Sequence, residues 1–199
     1  MILVIKMFEN KKIFILGLAR SGYHAAKVLC AKGNKVVLND GKAEEKLDAE
    51  QIRELRELGV NLVFGSHPDD LLDSSFDYLI KNPGVPIDHK YVLKARELGI
   101  EVMNEVEMGY RLLPKDVKLI GITGTNGKTS TTHYLSNILS EAQYKTMTNL
   151  AGANLVQGIV TQALEYSSFN FTIQADAVVL EVDEATLPNI IEDIKPSHI

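Results

Sequence analysis

Short apolar runs recur along this 199-residue chain, and between them lie segments with the periodicity of amphipathic helices. A run that is apolar on both faces must be covered on both faces. Helices alternating with such strands do this in a parallel α/β sheet. "KIFIL" (12–16) reads as the first strand, followed by a helix from Ser21 to Lys32 that stops at Gly33, and then by the strand "KVVLN" (35–39). "AEEKLDAEQIRELRELG" reads as one charged helix with Leu47, Ile52, Leu55 and Leu58 as its buried stripe. The strands "NLVF" and "DYLI", the helix "HKYVLKARELG", the strand "IEVM" and the segment "NEVEMGYRLLP" complete a first domain over residues 1–115.

A second domain, 116–199, begins with the strand "VKLIGIT" and a glycine loop. A helix from Lys128 carries Leu135, Ile138, Leu139 and Ala142 on one side. "KTMT" and "DAVVLEV" read as strands, and "ANLVQGIVTQAL" and "ATLPNIIEDI" as helices. Another strand is expected after "KPSHI", so this domain reads as the incomplete start of a phosphate-loop fold.

Charge narrows the function. Twenty-one basic against 26 acidic residues leave a net charge of -5, which argues against a protein that grips nucleic acid through a basic face. A single cysteine, Cys30, excludes an internal disulfide; it reads as core packing, and its solitude fits a reducing cytoplasm. "MILVIKMF" is too short and has the wrong flanks for a signal peptide, residues 1–6 read as an upstream extension, and no run reaches the length of a membrane span.

The turn "GLARSG" (17–22) lies between a strand and a helix, where a dinucleotide fingerprint belongs. Gly17 and Gly22 fill its first and last glycine places. The middle place holds Ala19, whose methyl limits how closely a pyrophosphate approaches. Asp40, at the end of the second strand, has the chemistry to accept a ribose hydroxyl. Three readings compete: a plain turn, a nicotinamide or flavin site of an oxidoreductase, and a uridine nucleotide site.

"GITGTNGKTS" (121–130) departs from the usual phosphate loop in one place, because Ile122 stands six residues before Lys128 where glycine is normal. The physical demands are still met. Gly124 and Gly127 let backbone N–H groups turn inward, Lys128 bridges terminal phosphates, and the Thr129 hydroxyl can ligate Mg²⁺ at a helix N-terminus. "AVVLEVDE" then supplies Glu181 at the end of an apolar strand as the partner acid for the metal, with Asp183 and Glu184 undecided. The histidines His24, His67, His89, His133 and His198 have no metal-ligand spacing. Each reads as surface or core, with His133 a weak site candidate.

Together "GITGTNGKTS", "GLARSG", "KNPGVP" (81–86) and "NEVEMG" (104–109) resemble the Mur ligase family of cell-wall synthesis. To about residue 145 the resemblance is to the branch that joins D-glutamate to UDP-N-acetylmuramoyl-L-alanine. "TNLAGANL" (148–155) and "EVDEATLP" (181–188) look like the Mur-ligase-like subunit of lipid II isoglutaminyl synthase, which works with a glutaminase partner. The resemblance implies a Rossmann-like uridine-nucleotide domain followed by an ATP-binding domain. It implies that Leu18, Ala19, Arg20 and Ser21 line the uridine diphosphate. Asp40, Gly41 and Lys42 border the uracil and ribose, and Asn82, Pro83 and Gly84 form the other wall. Gly124, Thr125, Asn126, Gly127, Lys128, Thr129 and Ser130 would hold ATP, with Lys128 catalytic and Thr129 and Glu181 serving Mg²⁺. A non-catalytic nucleotide-binding module is the remaining alternative, and the chain alone is expected to bind without ligating.

Overall fold

A computed structural model describes residues 8–82, 84–112, 117–148 and 175–182. The chain divides into two compact units, Met1–Met108 and Gly109–Ile199.

In the first unit five parallel strands, β1 (Lys12–Leu16), β2 (Lys35–Asp40), β3 (Asn61–Phe64), β4 (Tyr78–Lys81) and β5 (Glu101–Asn104), lie in the order β3-β2-β1-β4-β5. Helices α1 (Arg20–Ala31), α2 (Ala49–Glu57) and α3 (Lys90–Glu97) make crossovers, and α4 (Glu105–Leu112) follows β5 directly. The order reverses between β1 and β4, the place where ligands lodge in such sheets. Register sets Leu16 level with Asn39 and with Lys81, and Lys81 level with Asn104. The turns after β1, β2, β4 and β5 therefore leave the sheet along one edge. One face of the sheet is sealed by Phe14, Leu16, Leu79, Tyr91 and Val92, with Phe76 edge-on to Phe14.

The charged helix expected between β2 and β3 is two pieces. A 3-10 turn spans Glu44–Lys46, and α2 starts only at Ala49. Asp48 is the reason: its side chain accepts from the N–H groups of Glu50 and Gln51, which starts a new helix there. Ile52 and Leu55 are buried as expected, but Leu47 is only half-buried and Leu58, beyond the helix end, is exposed. Cys30 is half-buried, and burial pushes its thiol pKa up.

In the second unit β6 (Lys118–Ile122), β7 (Thr146–Thr148) and β8 (Ala177–Glu181) form a parallel sheet in the order β6-β8-β7, with α5 (Lys128–Glu141) packed on it. The buried face of α5 differs from the expected stripe. Thr132 and Ser136 are enclosed, Leu135 and Leu139 are half-buried, and Ile138 and Ala142 face out. The loop fixes this rotation. Thr129 is turned towards β8, so residues one and two turns later on that face, Thr132 and Ser136, meet the sheet. The Ser136 hydroxyl donates back to the Thr132 carbonyl at 2.6 Å, which satisfies it inside. The expected helices in 153–164 and 185–194 lie outside the described residues.

Candidate functional site

In the first unit the strand-end turns are tied to one another by side chains. Gly17 leaves β1 with φ +100°, and its N–H donates to the Asn39 carbonyl at 2.8 Å. The Asp40 carboxylate bridges two turns, accepting from Leu18 N–H at 2.8 Å and from Lys42 N–H at 2.9 Å. Asn82 Nδ2 donates to Ser21 Oγ at 2.9 Å, and Asn82 Oδ1 accepts from Gly84 N–H at 3.0 Å. Ser21 Oγ–H in turn donates to Glu105 Oε1 at 3.2 Å. Expected site residues on three turns are thus drawn into two knots. Pro83 lies outside the described residues, and Arg20 opens α1.

Ser21 is 1% exposed, so its hydroxyl works inward and leaves its backbone N–H for the helix start. No side chain caps α1; its N-cap is Ala19, at φ 20°. The first turn therefore keeps donors and a partial positive charge available to an anion. Asn39, Glu105 and His67 belong to this edge although sequence reasoning assigned them no role. Asn39 is fully buried and donates to the Val63 and Ser66 carbonyls. It also meets His67 Nδ1, and His67 lies so close to Gly41 that a Cβ there would stand 2.8 Å from Nε2. Their only sequence signal was position: a polar residue inside an apolar strand, and an acid opening a helix at a strand end.

Glu105 is fully buried, and burial pushes its carboxyl up to about 7. Its own backbone N–H, Ser21, the Lys81 charge and Asn82 pull the other way. Lys81 is held below the usual lysine range, chiefly by burial, and its ammonium donates to the Val85 carbonyl at 2.9 Å.

The second unit builds its loop from backbone geometry. Ile122, the last residue of β6, is level with Glu181, the last of β8. Gly124 has φ +136° and Gly127 φ +80°, and around both an added Cβ would meet nothing within 4 Å. Gly127 is the N-cap of α5 and brings no capping side chain. Lys128 Nζ donates to the Gly124 carbonyl at 2.5 Å, folding over the loop, and Thr131 N–H closes the first turn onto Gly127. Thr129 Oγ1 donates to Glu181 Oε2 at 3.2 Å. His133 is exposed and shares a hydrogen bond with Asn137 on its own helix.

A phosphate group and its cation fit these residues. The open loop, the uncapped helix and the lysine are an anion's partners, and Thr123 Oγ1 is enclosed there without a hydrogen-bond partner. Two oxygens 3.2 Å apart suit neighbouring positions around Mg²⁺, which lie about 3 Å apart when each bond is about 2.1 Å. Among the described residues no cluster of three or more His, Cys, Asp or Glu could hold a metal. A cation would draw its other ligands from water and phosphate oxygens, the habit of Mg²⁺.

The class defined by this arrangement is an α/β protein in which a Rossmann-like unit precedes a unit built on a phosphate-type loop. The first matches the family description "Mur ligase MurD-like, N-terminal domain" over residues 11–104, and the second "Mur ligase middle domain" over residues 122–193. The chain belongs to the Mur ligase family. It is 47% identical over 145 residues to the UDP-N-acetylmuramoylalanine–D-glutamate ligase of Enterococcus hirae, covering 72% of this chain and 30% of that protein. The ligase of the same name from Streptococcus mutans is 46% identical over 138 residues, 69% of this chain and 30% of that protein. The chain thus spans under a third of the length of these relatives. Among solved structures, a murein peptide ligase from Psychrobacter arcticus aligns with TM-score 0.55 at 21% identity, over 87% of this chain and 38% of that one. The UDP-N-acetylmuramate-alanine ligase of Thermotoga maritima aligns with TM-score 0.51 at 22% identity, over 94% and 40%. Both likenesses speak to fold. The stretches resembling lipid II isoglutaminyl synthase lie outside the described residues except for Thr148, Glu181 and Val182. No helix among the described residues is long and apolar enough to cross a membrane.

Proposed function

We propose that this chain is the nucleotide-binding part of an ATP-dependent ligase of peptidoglycan precursor synthesis, one that joins D-glutamate to UDP-N-acetylmuramoyl-L-alanine. The observation that carries the reading is the loop from Gly124 to Thr129 with Glu181 on the adjoining strand end. The identity to D-glutamate ligases, 47% over 145 residues and 46% over 138, supports the reading of the substrate.

ATP would supply the phosphoryl group that activates the substrate carboxylate, and Mg²⁺ the counter-charge for the phosphates. The chain's own task is to bring two anions together. Lys128 leaves the Gly124 carbonyl for the terminal phosphates, and the N–H groups from Gly124 through Ser130 wrap the phosphate oxygens. Thr129 and Glu181 hold the cation. In the first unit the uncapped start of α1, at Leu18, Ala19, Arg20 and Ser21, receives the diphosphate. Asp40 holds the turn with Gly41 and Lys42 beside the uracil and ribose, and Asn82, Pro83 and Gly84 close the other side.

Calorimetry with a non-hydrolysable ATP analogue and Mg²⁺ tests the second unit: Lys128→Ala should weaken binding by about a hundredfold, the scale of one lost charge-assisted contact. Unchanged affinity would overturn the assignment. For the first unit, UDP-N-acetylmuramoyl-L-alanine at 100 times its dissociation constant should stabilise by about 2.7 kcal/mol, read as a rise in melting temperature. ADP release that requires both substrates would contradict the expectation that the chain alone does not ligate.

A further inference from the structure

Glu105 is the residue that the proposed function leaves unused. It is 0% exposed, one carboxyl oxygen meets Ser21, and Oε2 is enclosed without a hydrogen-bond partner. A buried carboxylate with an idle oxygen is costly unless it serves something. Its surroundings form a directed chain of donors. Gly84 N–H donates to Asn82 Oδ1, Asn82 Nδ2–H to Ser21 Oγ, and Ser21 O–H to Glu105 Oε1. The first link closes the turn after β4 on itself, the other two join different strand ends, and the chain ends on Glu105. The Ser21 hydroxyl has one proton, so while Glu105 accepts it none is left for a ligand.

We propose that Glu105 is the positioning residue of the first unit's ligand site: it anchors Ser21 and, through it, Asn82, and it takes up a proton when a dianionic diphosphate docks on the first turn of α1. The uptake rests on the reading of that turn as a uridine-diphosphate site. The physical reason is like-charge repulsion across Ser21. That residue offers its N–H to the anion while its hydroxyl touches the acid, in a setting water does not screen. Burial already holds the carboxyl near neutrality, so a modest added field completes protonation at physiological pH. The other groups facing Glu105 are Lys81 on β4, Asn82 and its own backbone N–H, with Arg96 on α3 acting on Lys81. Among the described residues the cation acting on Glu105 is Lys81, and its ammonium is already held by the Val85 carbonyl.

The test uses UDP-N-acetylmuramoyl-L-alanine, whose diphosphate is a diester and does not titrate between pH 5.5 and 8.5. Affinity for the wild-type chain should fall by about three- to tenfold across that range, since one pKa unit of linkage is tenfold. Glu105→Gln keeps the size and a carbonyl acceptor for the Ser21 hydroxyl but does not titrate, and its affinity should change by under about twofold across the same range. Equal slopes in the two proteins would overturn the inference while leaving the uridine site standing. Should neither bind, the uridine reading fails along with the proton uptake, and the anchoring role is decided without ligand. Folding raises this carboxyl from 4.5 to about 7, so its stabilising effect is full below pH 4.5 and is lost as pH rises towards 7. The wild type should therefore lose melting temperature relative to Glu105→Gln over that window, and parallel curves would refute the buried acid. Should the variant not fold, wild-type binding heats at pH 7 in phosphate and in Tris decide. Unequal heats reporting proton uptake support the proposal, and equal heats overturn it.

Discussion

The two units hold their candidate sites in different ways. In the first, the ligand-facing turns are bound by side chains to each other: Asp40 to two amides, Asn82 to Ser21, Ser21 to Glu105. In the second, the loop owes its shape to backbone dihedrals at Gly124 and Gly127, and its polar side chains are loosely placed, Lys128 on a carbonyl of its own loop and Thr129 on Glu181. A site knitted by side chains is preorganised and is part of the unit's stability. A loop held by glycines stays shaped when its side chains swing to a ligand. Substitutions at the first site should therefore cost folding as well as binding, and those at the second should mostly cost binding.

The largest effect expected is at Gly22. A Cβ there would stand 2.1 Å from the Gly17 carbonyl oxygen, so β1 and α1 must part. Gly22→Ala should destabilise by about 3 kcal/mol, the upper range of overpacking, as measured by chemical denaturation. Next comes Asp40→Ala, which strands the N–H groups of Leu18 and Lys42 and should cost about 1–3 kcal/mol. The matched change in the second unit, Thr129→Ala, removes one exposed contact and should move stability by under about 0.5 kcal/mol. Similar costs at Asp40 and Thr129 would break the contrast.

Much of this was legible in the sequence, for identifiable reasons. Strand positions follow from apolar runs, because a parallel strand covered on both faces has no polar alternation to confuse the reading; "KIFIL" is β1 residue for residue. The loop was legible because glycines at fixed offsets from a lysine signal backbone geometry directly. What failed depended on competition. Asp48 could continue a helix or cap a new one, and only the fold decides. The stripe on α5 was read from apolar residues, whereas its rotation is set by Thr129 meeting β8, a contact 52 residues apart in sequence. Glu105 lay within a motif and remained without a role, since what marks it is burial and a hydroxyl 84 residues upstream.

Two glycine–alanine exchanges sharpen the contrast by separating strain from crowding. Gly127 sits at φ +80° in open space, so Gly127→Ala meets no atom and bears only the left-handed backbone cost, about 1–2 kcal/mol. That is less than at Gly22, where the clash is steric. Ala19 is the converse. It carries a Cβ at φ 20° and caps α1 with no side-chain acceptor. Ala19→Gly relieves strain of about 1–3 kcal/mol but frees the unfolded chain by about 0.4–1 kcal/mol, which leaves a small net gain of about 1 kcal/mol. The same change removes the methyl that limits pyrophosphate approach. A higher melting temperature without tighter binding of UDP-N-acetylmuramoyl-L-alanine would mean that Ala19 burdens only the fold. Tighter binding without added stability would mean that the methyl, rather than the dihedral, matters at this turn.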